Sequence, residues 1–416
     1  MHYDLTTLPN GLRVISERMP SSRSVAIGCW VDTGSRDETA VEAGSSHFLE
    51  HLLFKGSDLW DARRIAESFD AIGAHHNAFT SKEYTCYWAK MRDADLPLGV
   101  EILAEMLQRP SFRQEEIDSE RNVVLEEINM NEDDPTDVAH EEFIRALWAG
   151  HPLGPPVLGT RDSITNMTRE TIRGYWHRRY SPKSVVIAVA GHIEHKTLVD
   201  MVTDYFGGWQ GDEIDRPHLE VDTGPAVAVR KRDTEQAHLV FGGHGLKRAD
   251  DRRYAHLVLD HVLGGGMSSR LFTEIREKRG LAYAVHSFRL PMSEIGARAI
   301  YVGTTPSQAP EVLKLLRHEL DKMRSDGLSA DELARAKGHV KGALALAMED
   351  TSSRMNRLGR NELTGVDHLS VDEIVAEVDA VELEDILDVA AAVCDAPYVL
   401  GATGPFDEAD LESYVQ

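Results

Sequence analysis

The hydrophobic positions along the first half of the chain follow two periods, which predict strands and helices in turn. Alternating or continuous apolar runs predict strands at 12–17, 25–31 and 184–191, because neighbouring strand residues point to opposite faces. The β-branched and aromatic residues at 76–89 predict one or two further strands. Apolar residues spaced three or four apart predict helices at 60–72, 97–107, 114–130, 137–148, 168–178 and 195–206. Gly73 closes the first of these helices and Pro97 opens the second, which are the ends that these residues favour.

A polar stretch with glycine and proline follows at 207–225, and the same order of elements then returns. Strands are predicted at 227–229, 238–243, 285–288 and 297–303, and helices at 255–263, 274–280 and 311–324. A chain of 416 residues is also too long for one ordinary core. The sequence therefore predicts an α+β fold with a first domain at 1–208, a linker at 209–225 and a second domain at 226–416.

Residues 47 to 51 read His-Phe-Leu-Glu-His within a segment that is apolar nearly all round, as a buried helix would be. His47 and His51 then lie one above the other on one face and can reach a single metal ion. Glu50 lies beside them, placed to act on a water molecule, in the inverted order of the zinc-protease motif H-E-x-x-H. Ser45 or Ser46 is the expected N-cap. The alternative is a hydrogen-bonded pair of core histidines.

A catalytic zinc usually takes three protein ligands and keeps one position for water, so a third ligand is needed. The acidic helix at 114–128 offers Glu120 and Glu127, which are seven residues apart and share a face, whereas Glu126 lies about 100° away. One carboxylate can bind the metal while the other orients a histidine ligand. Spacing alone does not choose between them, and an acidic helix that is merely solvated is the alternative.

The inverted motif, the stretch Gly73–Thr80 and the acidic helix together resemble the pitrilysin / insulin-degrading enzyme family, in particular mitochondrial processing peptidase and its two-domain bacterial relatives. The resemblance runs from about Leu8 to beyond residue 400. It implies one Zn²⁺ per chain, held by His47, His51 and Glu127, with Glu120 behind the ligands and Glu50 as the catalytic base. It also implies that each domain is a mostly antiparallel sheet covered by helices, the two forming half of a clamshell.

The same resemblance implies further contacts to substrate. Asn77 and Ala78 would lie on an edge strand to which a peptide adds as an extra strand, and Arg276 with Tyr283 would contact substrate and the oxyanion. Without the resemblance, Asn77 is equally well a turn residue, Arg276 a solvated helix charge and Tyr283 a core residue. The neighbours His75 and His76 point to opposite faces of a strand and stay unassigned, as does the glycine loop at 264–270, which lacks the Gly-Lys-Ser/Thr of a phosphate site.

Composition and charge limit the classes of partner and the compartment that we expect for this protein. The net charge of −24 argues against nucleic acid, which requires basic surface, and no run of 18 apolar residues predicts a membrane span. Cys29, Cys86 and Cys394 are most simply free thiols in a reducing compartment. Because the first residues resemble neither a signal peptide nor a mitochondrial presequence, we expect a cytoplasmic protein.

These observations predict a zinc-dependent endopeptidase, and the resemblance implies that it hydrolyses peptides or unfolded segments held as an added strand in an enclosed chamber. The resemblance implies a homodimer, with the catalytic half of a heterodimer as the alternative. A non-catalytic scaffold subunit is the competing function, although scaffold members of the family have damaged motifs.

Overall fold

The structure is a computed structural model and describes residues 3–212, 214–221, 224–395 and 397–416. In this part of the chain the strands are β1 Asp4–Thr7, β2 Arg13–Arg18, β3 Ser24–Val31, β4 His75–Thr80, β5 Thr85–Arg92, β6 Val185–Gly191, β7 Ala226–Lys231, β8 Ala237–Gly245, β9 Ala282–Pro291, β10 Gly296–Thr304 and β11 Val399–Gly404. The α-helices are α1 Ser45–Leu53, α2 Ala62–Ala71, α3 Leu96–Gln108, α4 Gln114–Asp133, α5 Pro135–Leu147, α6 Arg161–Asn166, α7 Arg169–Arg179, α8 His195–Phe206, α9 Arg253–Gly264, α10 Ala309–Asp326, α11 Ala330–Ala347, α12 Thr351–Thr364, α13 Val371–Ala380, α14 Leu383–Val393 and α15 Glu408–Leu411. A π-helical turn, Phe272–Glu277, precedes β9.

The chain packs into two compact units whose segments alternate along the sequence. The first unit comprises Met1–Asn129, Pro155–Pro217 and Leu346–Ser370, and the second comprises Met130–Gly154, His218–Ala345 and Val371–Gln416. The predicted domains at 1–208 and 226–416 follow chain order, whereas each compact unit also contains a helix from the other half of the chain: α12 in the first unit and α5 in the second. Residues 213, 222 and 223 of the predicted linker lie outside the described residues.

The first unit is built on a six-stranded sheet in the order β1-β2-β6-β3-β5-β4. β2 and β6 run parallel, and the other neighbours are antiparallel. β6 is buried along its whole length, which explains why it is a continuous apolar run in the sequence. Among the described residues β4 has β5 as its only strand neighbour, so its outer edge is available to another strand.

Both faces of this sheet are covered, because the side chains of β3 divide between two cores. The odd-numbered residues from Val25 to Val31 join the large cluster that includes Phe48 of α1, and Trp30 joins a smaller one with Met355 of α12. The helix α12 approaches closely, with Trp30 Nε1 3.4 Å from Met355 Sδ. A Cβ added at Gly359 would lie 2.1 Å from Trp30 Nε1, so this approach requires glycine.

The second unit has a five-stranded sheet in the order β7-β11-β8-β10-β9. β7 and β11 run parallel and the remaining pairs are antiparallel. Phe143 and Leu147 of α5 pack on one face with Val240, and Val258 of α9 and Leu313 of α10 join the core on the other face. Apart from β1, the two sheets share one strand order and one parallel pair.

The predicted fold class is confirmed: each unit is a mostly antiparallel sheet covered by helices, and the second repeats the plan of the first. The segment at 76–89, predicted as one or two strands, forms two, β4 and β5. Within the described residues, no helix combines the length and the apolar character that a membrane crossing requires.

Candidate metal centre

The helix α1 presents His47, Glu50 and His51 from a firmly anchored backbone. Phe48 and Leu49 are fully buried, and they fix the helix against the core of the first unit. The two imidazole rings lie side by side, with centroids 4.8 Å apart and planes at 68°. The i, i+4 spacing in the sequence therefore produces the paired arrangement that it predicts.

The predicted N-cap of this helix was wrong. Gly44 occupies the cap position with φ +91°, which disfavours residues with a side chain, and Ser45 already belongs to the helix. The role of the cap falls to Glu38, whose carboxyl oxygens accept hydrogen bonds from the backbone N–H groups of Gly44 and Ser46, both at 2.7 Å. Burial raises the pKa of Glu38 to about 8, and these backbone hydrogen bonds act against the rise. The sequence gives no local signal for a cap six to eight residues upstream.

Above pH 8, where Glu38 is ionised, replacing it with Ala is expected to lower the free energy of unfolding of the metal-free protein by about 2–3 kcal/mol, because two buried N–H groups lose their acceptor. Glu38→Gln keeps one acceptor oxygen and is expected to lose roughly half as much. Urea unfolding of both variants measures the difference. Equal stability of Glu38→Ala and the unmodified chain would show that the helix does not depend on this carboxyl group.

The helix α4 brings Glu127 to the histidine pair. Its Oε2 lies 3.4 Å from His47 Nε2 and 3.5 Å from His51 Nε2. A tetrahedral site with zinc–ligand distances near 2.0–2.1 Å separates its ligand atoms by about 3.3–3.4 Å, so both separations from Glu127 Oε2 match a shared zinc ion. The ligand atoms of the three residues all lie within 4.8 Å of one another. Among the residues that the structure describes, no other group of three His, Cys, Asp or Glu side chains brings its ligand atoms this close together.

The protonation of His47 favours a metal rather than an ion pair. Burial, with a smaller contribution from His51, lowers the pKa of His47 to about 4, so near neutral pH its imidazole is neutral and has a free lone pair. Nothing within the described residues hydrogen-bonds its buried Nδ1. With its one proton on Nδ1, a neutral His47 directs the lone pair of Nε2 toward Glu127 Oε2, 3.4 Å away, an arrangement that a shared metal ion stabilises.

Glu120 lies behind the ligands rather than among them. Its Oε2 is 3.1 Å from His51 Nδ1, the ring nitrogen on the side away from Glu127. A carboxylate in this position fixes the tautomer and the orientation of a ligating imidazole. Its other oxygen, Oε1, is 2.6 Å from Lys55 Nζ, a contact that was not predicted from the sequence.

Glu50 lies beside the three ligand atoms but outside their cluster. Its Oε2 accepts a hydrogen bond of 2.7 Å from the Thr80 hydroxyl at the end of β4. Burial raises the pKa of Glu50, and the hydrogen bond from Thr80 opposes that rise. A carboxylate with a raised pKa that is held away from the metal is suited to exchange protons with a water molecule. Thr80 was missed because its partner is 30 residues away.

The site keeps one side open. The side chain of Glu127 is 37% exposed, compared with 13% for His47 and 18% for His51. Three protein ligands with access to solvent are the pattern of catalytic zinc sites, whereas structural sites are closed by four. The geometry would therefore allow a water molecule and a substrate to approach a metal ion held by these three residues.

The edge strand β4 carries the residues expected to contact peptide. Asn77 is exposed, Ala78 is buried, and the Asn77 side chain accepts a hydrogen bond of 2.8 Å from the Ala78 N–H. His75 is exposed, and His76 stacks on Phe69 with centroids 4.3 Å apart, so His76 packs against α2. Neither histidine is in the metal cluster.

Arg276 and Tyr283 belong to the second unit and lie together there. The Arg276 guanidinium carbon is 4.8 Å from the centre of the Tyr283 ring, and Tyr283 is 79% exposed. The interpretation of Tyr283 as a core residue is thus wrong. In the glycine loop, Arg270 forms two hydrogen bonds to the carboxylate of Glu332, which tie the end of the loop to α11.

Two family models match the chain in succession. The model described as Insulinase (Peptidase family M16) matches residues 13–161, and the model described as Peptidase M16 inactive domain matches residues 166–339. The chain belongs to peptidase family M16. The predicted resemblance to the insulin-degrading enzyme family is thus confirmed, and the three ligand atoms lie within the part matched by the Insulinase model.

M16 relatives of bacterial origin match nearly the whole chain. A protein named as an uncharacterized zinc protease of Streptomyces coelicolor is 43% identical over 411 residues, which are 97% of this chain and 90% of the relative. The uncharacterized zinc protease YmxG of Bacillus subtilis is 41% identical over 403 residues, 96% of this chain and 97% of the relative.

Solved structures show the same M16 fold. The crystal structure of a protease from Helicobacter pylori aligns with a TM-score of 0.90 at 22% identity, over 96% of this chain and 99% of the other. A structure from Pseudomonas fluorescens described as a peptidase M16 inactive domain aligns with a TM-score of 0.91 at 20% identity, over 98% of both chains. At these identities the likeness concerns the fold alone.

Proposed function

We propose that the chain is a zinc-dependent endopeptidase whose zinc is held by His47, His51 and Glu127, one ion per chain. The observation that carries the proposal is the convergence of His47 Nε2, His51 Nε2 and Glu127 Oε2 at separations of 3.4 and 3.5 Å. Glu50 stands beside them as an uncoordinated carboxylate. The names of the relatives, which are zinc proteases, support the same activity.

When bound, zinc supplies a Lewis acid that polarises the scissile carbonyl and lowers the pKa of a water molecule to about 7. Glu50 takes the proton from the attacking water and passes it to the nitrogen of the leaving amine. The Thr80 hydroxyl, 2.7 Å from Glu50 Oε2, holds the carboxylate in place for this transfer. Glu120 keeps the His51 ring oriented.

The outer edge of β4 is the proposed docking strand for the peptide. Main-chain pairing with this edge would accept many sequences, since every peptide offers the same N–H and C=O groups. Asn77 and Ala78 would lie along the added strand. The proposed substrates are therefore peptides or unfolded segments, because their main-chain N–H and C=O groups are free to pair with β4. The proposal also encloses them in a chamber.

A cytoplasmic location accompanies this proposal. Cys29, Cys86 and Cys394 are free and buried, a state that a reducing compartment maintains.

Arg276 and Tyr283 are proposed to stabilise the oxyanion in a homodimer, each pair serving the zinc of the partner subunit. The basis is the family resemblance, together with the exposure of Tyr283 and the capacity of a phenol and a guanidinium to donate hydrogen bonds. Mixing a Glu50→Gln chain with a Tyr283→Phe chain is then expected to restore part of the activity, because one composite site per mixed dimer is intact. Purified mixed dimers that remain as inactive as the parents would contradict shared sites.

Cleavage of quenched fluorescent peptides by the purified zinc-loaded chain tests the proposed function. We expect turnover that a chelator abolishes and that added zinc restores. A chain that binds zinc at the predicted site but cuts none of a broad peptide library would favour the non-catalytic scaffold.

A further inference from the structure

Lys55 contacts the candidate metal centre without touching a ligand. Its Nζ is 2.6 Å from Glu120 Oε1, with the lysine side chain 27% exposed and the glutamate side chain 9% exposed. The other oxygen of the same carboxylate, Oε2, is 3.1 Å from His51 Nδ1. Each oxygen of Glu120 thus has its own partner: Lys55 contacts Oε1 and His51 contacts Oε2.

The backbone holds Lys55 in this position. The residue follows the last turn of α1, where its N–H donates to Leu52 O at 3.0 Å and the next N–H, of Gly56, donates to Leu53 O at 3.1 Å. These contacts reach back three residues and tighten the end of the helix. The lysine side chain therefore starts from a fixed point and spans the distance from α1 to α4.

We propose that Lys55 is a positioning residue for the metal centre, which acts through Glu120; this inference rests on the proposed zinc site. A carboxylate held at both oxygens cannot rotate away from the His51 ring. Its buried negative charge is also matched by the lysine, as buried charges require. Without Lys55, Glu120 would be free to turn toward the metal or toward solvent, and His51 would lose a fixed acceptor.

The contact also sets the register between two helices. Glu120 and Glu127 lie seven residues apart on α4, two turns along one face. The contacts of His51 and Lys55 with Glu120 therefore restrict the axial position of α4 relative to α1. They also restrict the position of Glu127 relative to the two histidines. Lys55 thereby influences both the orientation of His51 and the position of the third ligand.

Zinc affinity measures the effect independently of activity. Residues that hold metal ligands from behind typically change metal affinity by 10–100-fold, and we expect this of Glu120→Gln. Because Lys55 acts one step further away, Lys55→Met is expected to weaken zinc binding by about 3–10-fold, a fraction of that range. Lys55→Arg keeps the charge and should retain most of the affinity. Competition with a chromophoric chelator gives the dissociation constants.

A double substitution distinguishes an effect of Lys55 through Glu120 from a non-specific loss of zinc affinity. If Lys55 acts through Glu120, Lys55→Met causes no further loss of zinc affinity in a Glu120→Gln chain. The visible absorption of the Co²⁺-loaded protein should change in Lys55→Met and Glu120→Gln alike. Lys196, which forms an exposed pair with Asp200 at 2.6 Å, provides the control: Lys196→Met is expected to leave zinc affinity and the Co²⁺ spectrum unchanged.

Zinc affinity of Lys55→Met within about twofold of the unmodified chain would overturn the inference, as would an undiminished loss in the Glu120→Gln background. If Lys55→Met does not fold, Lys55→Gln takes its place with the same expected loss. The proposed function has a separate test. An unmodified chain that binds zinc but cleaves no peptide would refute the peptidase, whereas the zinc affinities of the variants would still decide the role of Lys55.

Discussion

Glu50→Gln is expected to lower kcat for peptide cleavage by about 10²–10⁴-fold, the range typical of a lost general acid–base group, while zinc stays bound. The amide has nearly the shape of the carboxylate, and its carbonyl oxygen can still accept the hydrogen bond from Thr80 that is 2.7 Å long in the unmodified chain. It cannot take a proton from water at neutral pH. Because Glu50 is not among the three ligand atoms, the metal should bind as before.

Initial rates on quenched peptides, together with zinc content, measure both parts of this expectation. Glu67→Gln is the matched control, since Glu67 is an exposed helical glutamate paired with Arg63, and it should retain full activity. A Glu50→Gln preparation that is free of contaminating protease and keeps its turnover would exclude Glu50 as the base. A preparation without zinc would indicate that Glu50 helps to bind the metal.

Glu127→Gln is expected to have the second large effect, on metal binding itself. An uncharged amide is a poor zinc ligand, and the site would keep only two imidazoles. We expect zinc affinity to fall by more than about 100-fold, beyond the 10–100-fold that is typical of residues behind the ligands. Peptidase activity should fall with it at limiting zinc. Zinc titration with a competing chelator, followed by activity at each zinc concentration, measures both.

The neighbouring residue gives the control for this variant. Glu126 is on the same helix but is exposed and outside the ligand cluster, so Glu126→Gln is expected to bind zinc normally. The comparison also tests the placement of the third ligand, which spacing alone left open between residues of this helix. Loss of zinc in Glu126→Gln with retention in Glu127→Gln would contradict the geometry.

The sequence predicted the elements well where the signal is local. The helix at 195–206 was predicted with the bounds that α8 has, and the closing role of Gly73 agrees with its φ of +63°. His47 and His51 needed only helical spacing to be paired. In each case the residues that determine the feature lie close together in the sequence, so a short segment is sufficient to predict it.

Contacts between distant parts of the chain could not be predicted in this way. The helix α12 packs in the first unit although it belongs to the second half of the chain, and it places Met355 against Trp30, 325 residues away. Apolar periodicity predicts that one face of a helix is buried, but not which element packs against it. The same holds for the residues that support the metal centre, since Glu38, Lys55 and Thr80 act through one or two polar contacts whose partners no sequence pattern indicates. Glu127 itself was placed by the family resemblance and not by spacing.

A zinc-edge anomalous difference map of the crystallised zinc-loaded chain would test the central claim most directly. We predict one strong peak in the first unit within bonding distance of His47 Nε2, His51 Nε2 and Glu127, with a water molecule or a peptide carbonyl at the fourth position. A peak elsewhere, no peak, or a fourth protein side chain filling the open position would contradict the proposed peptidase.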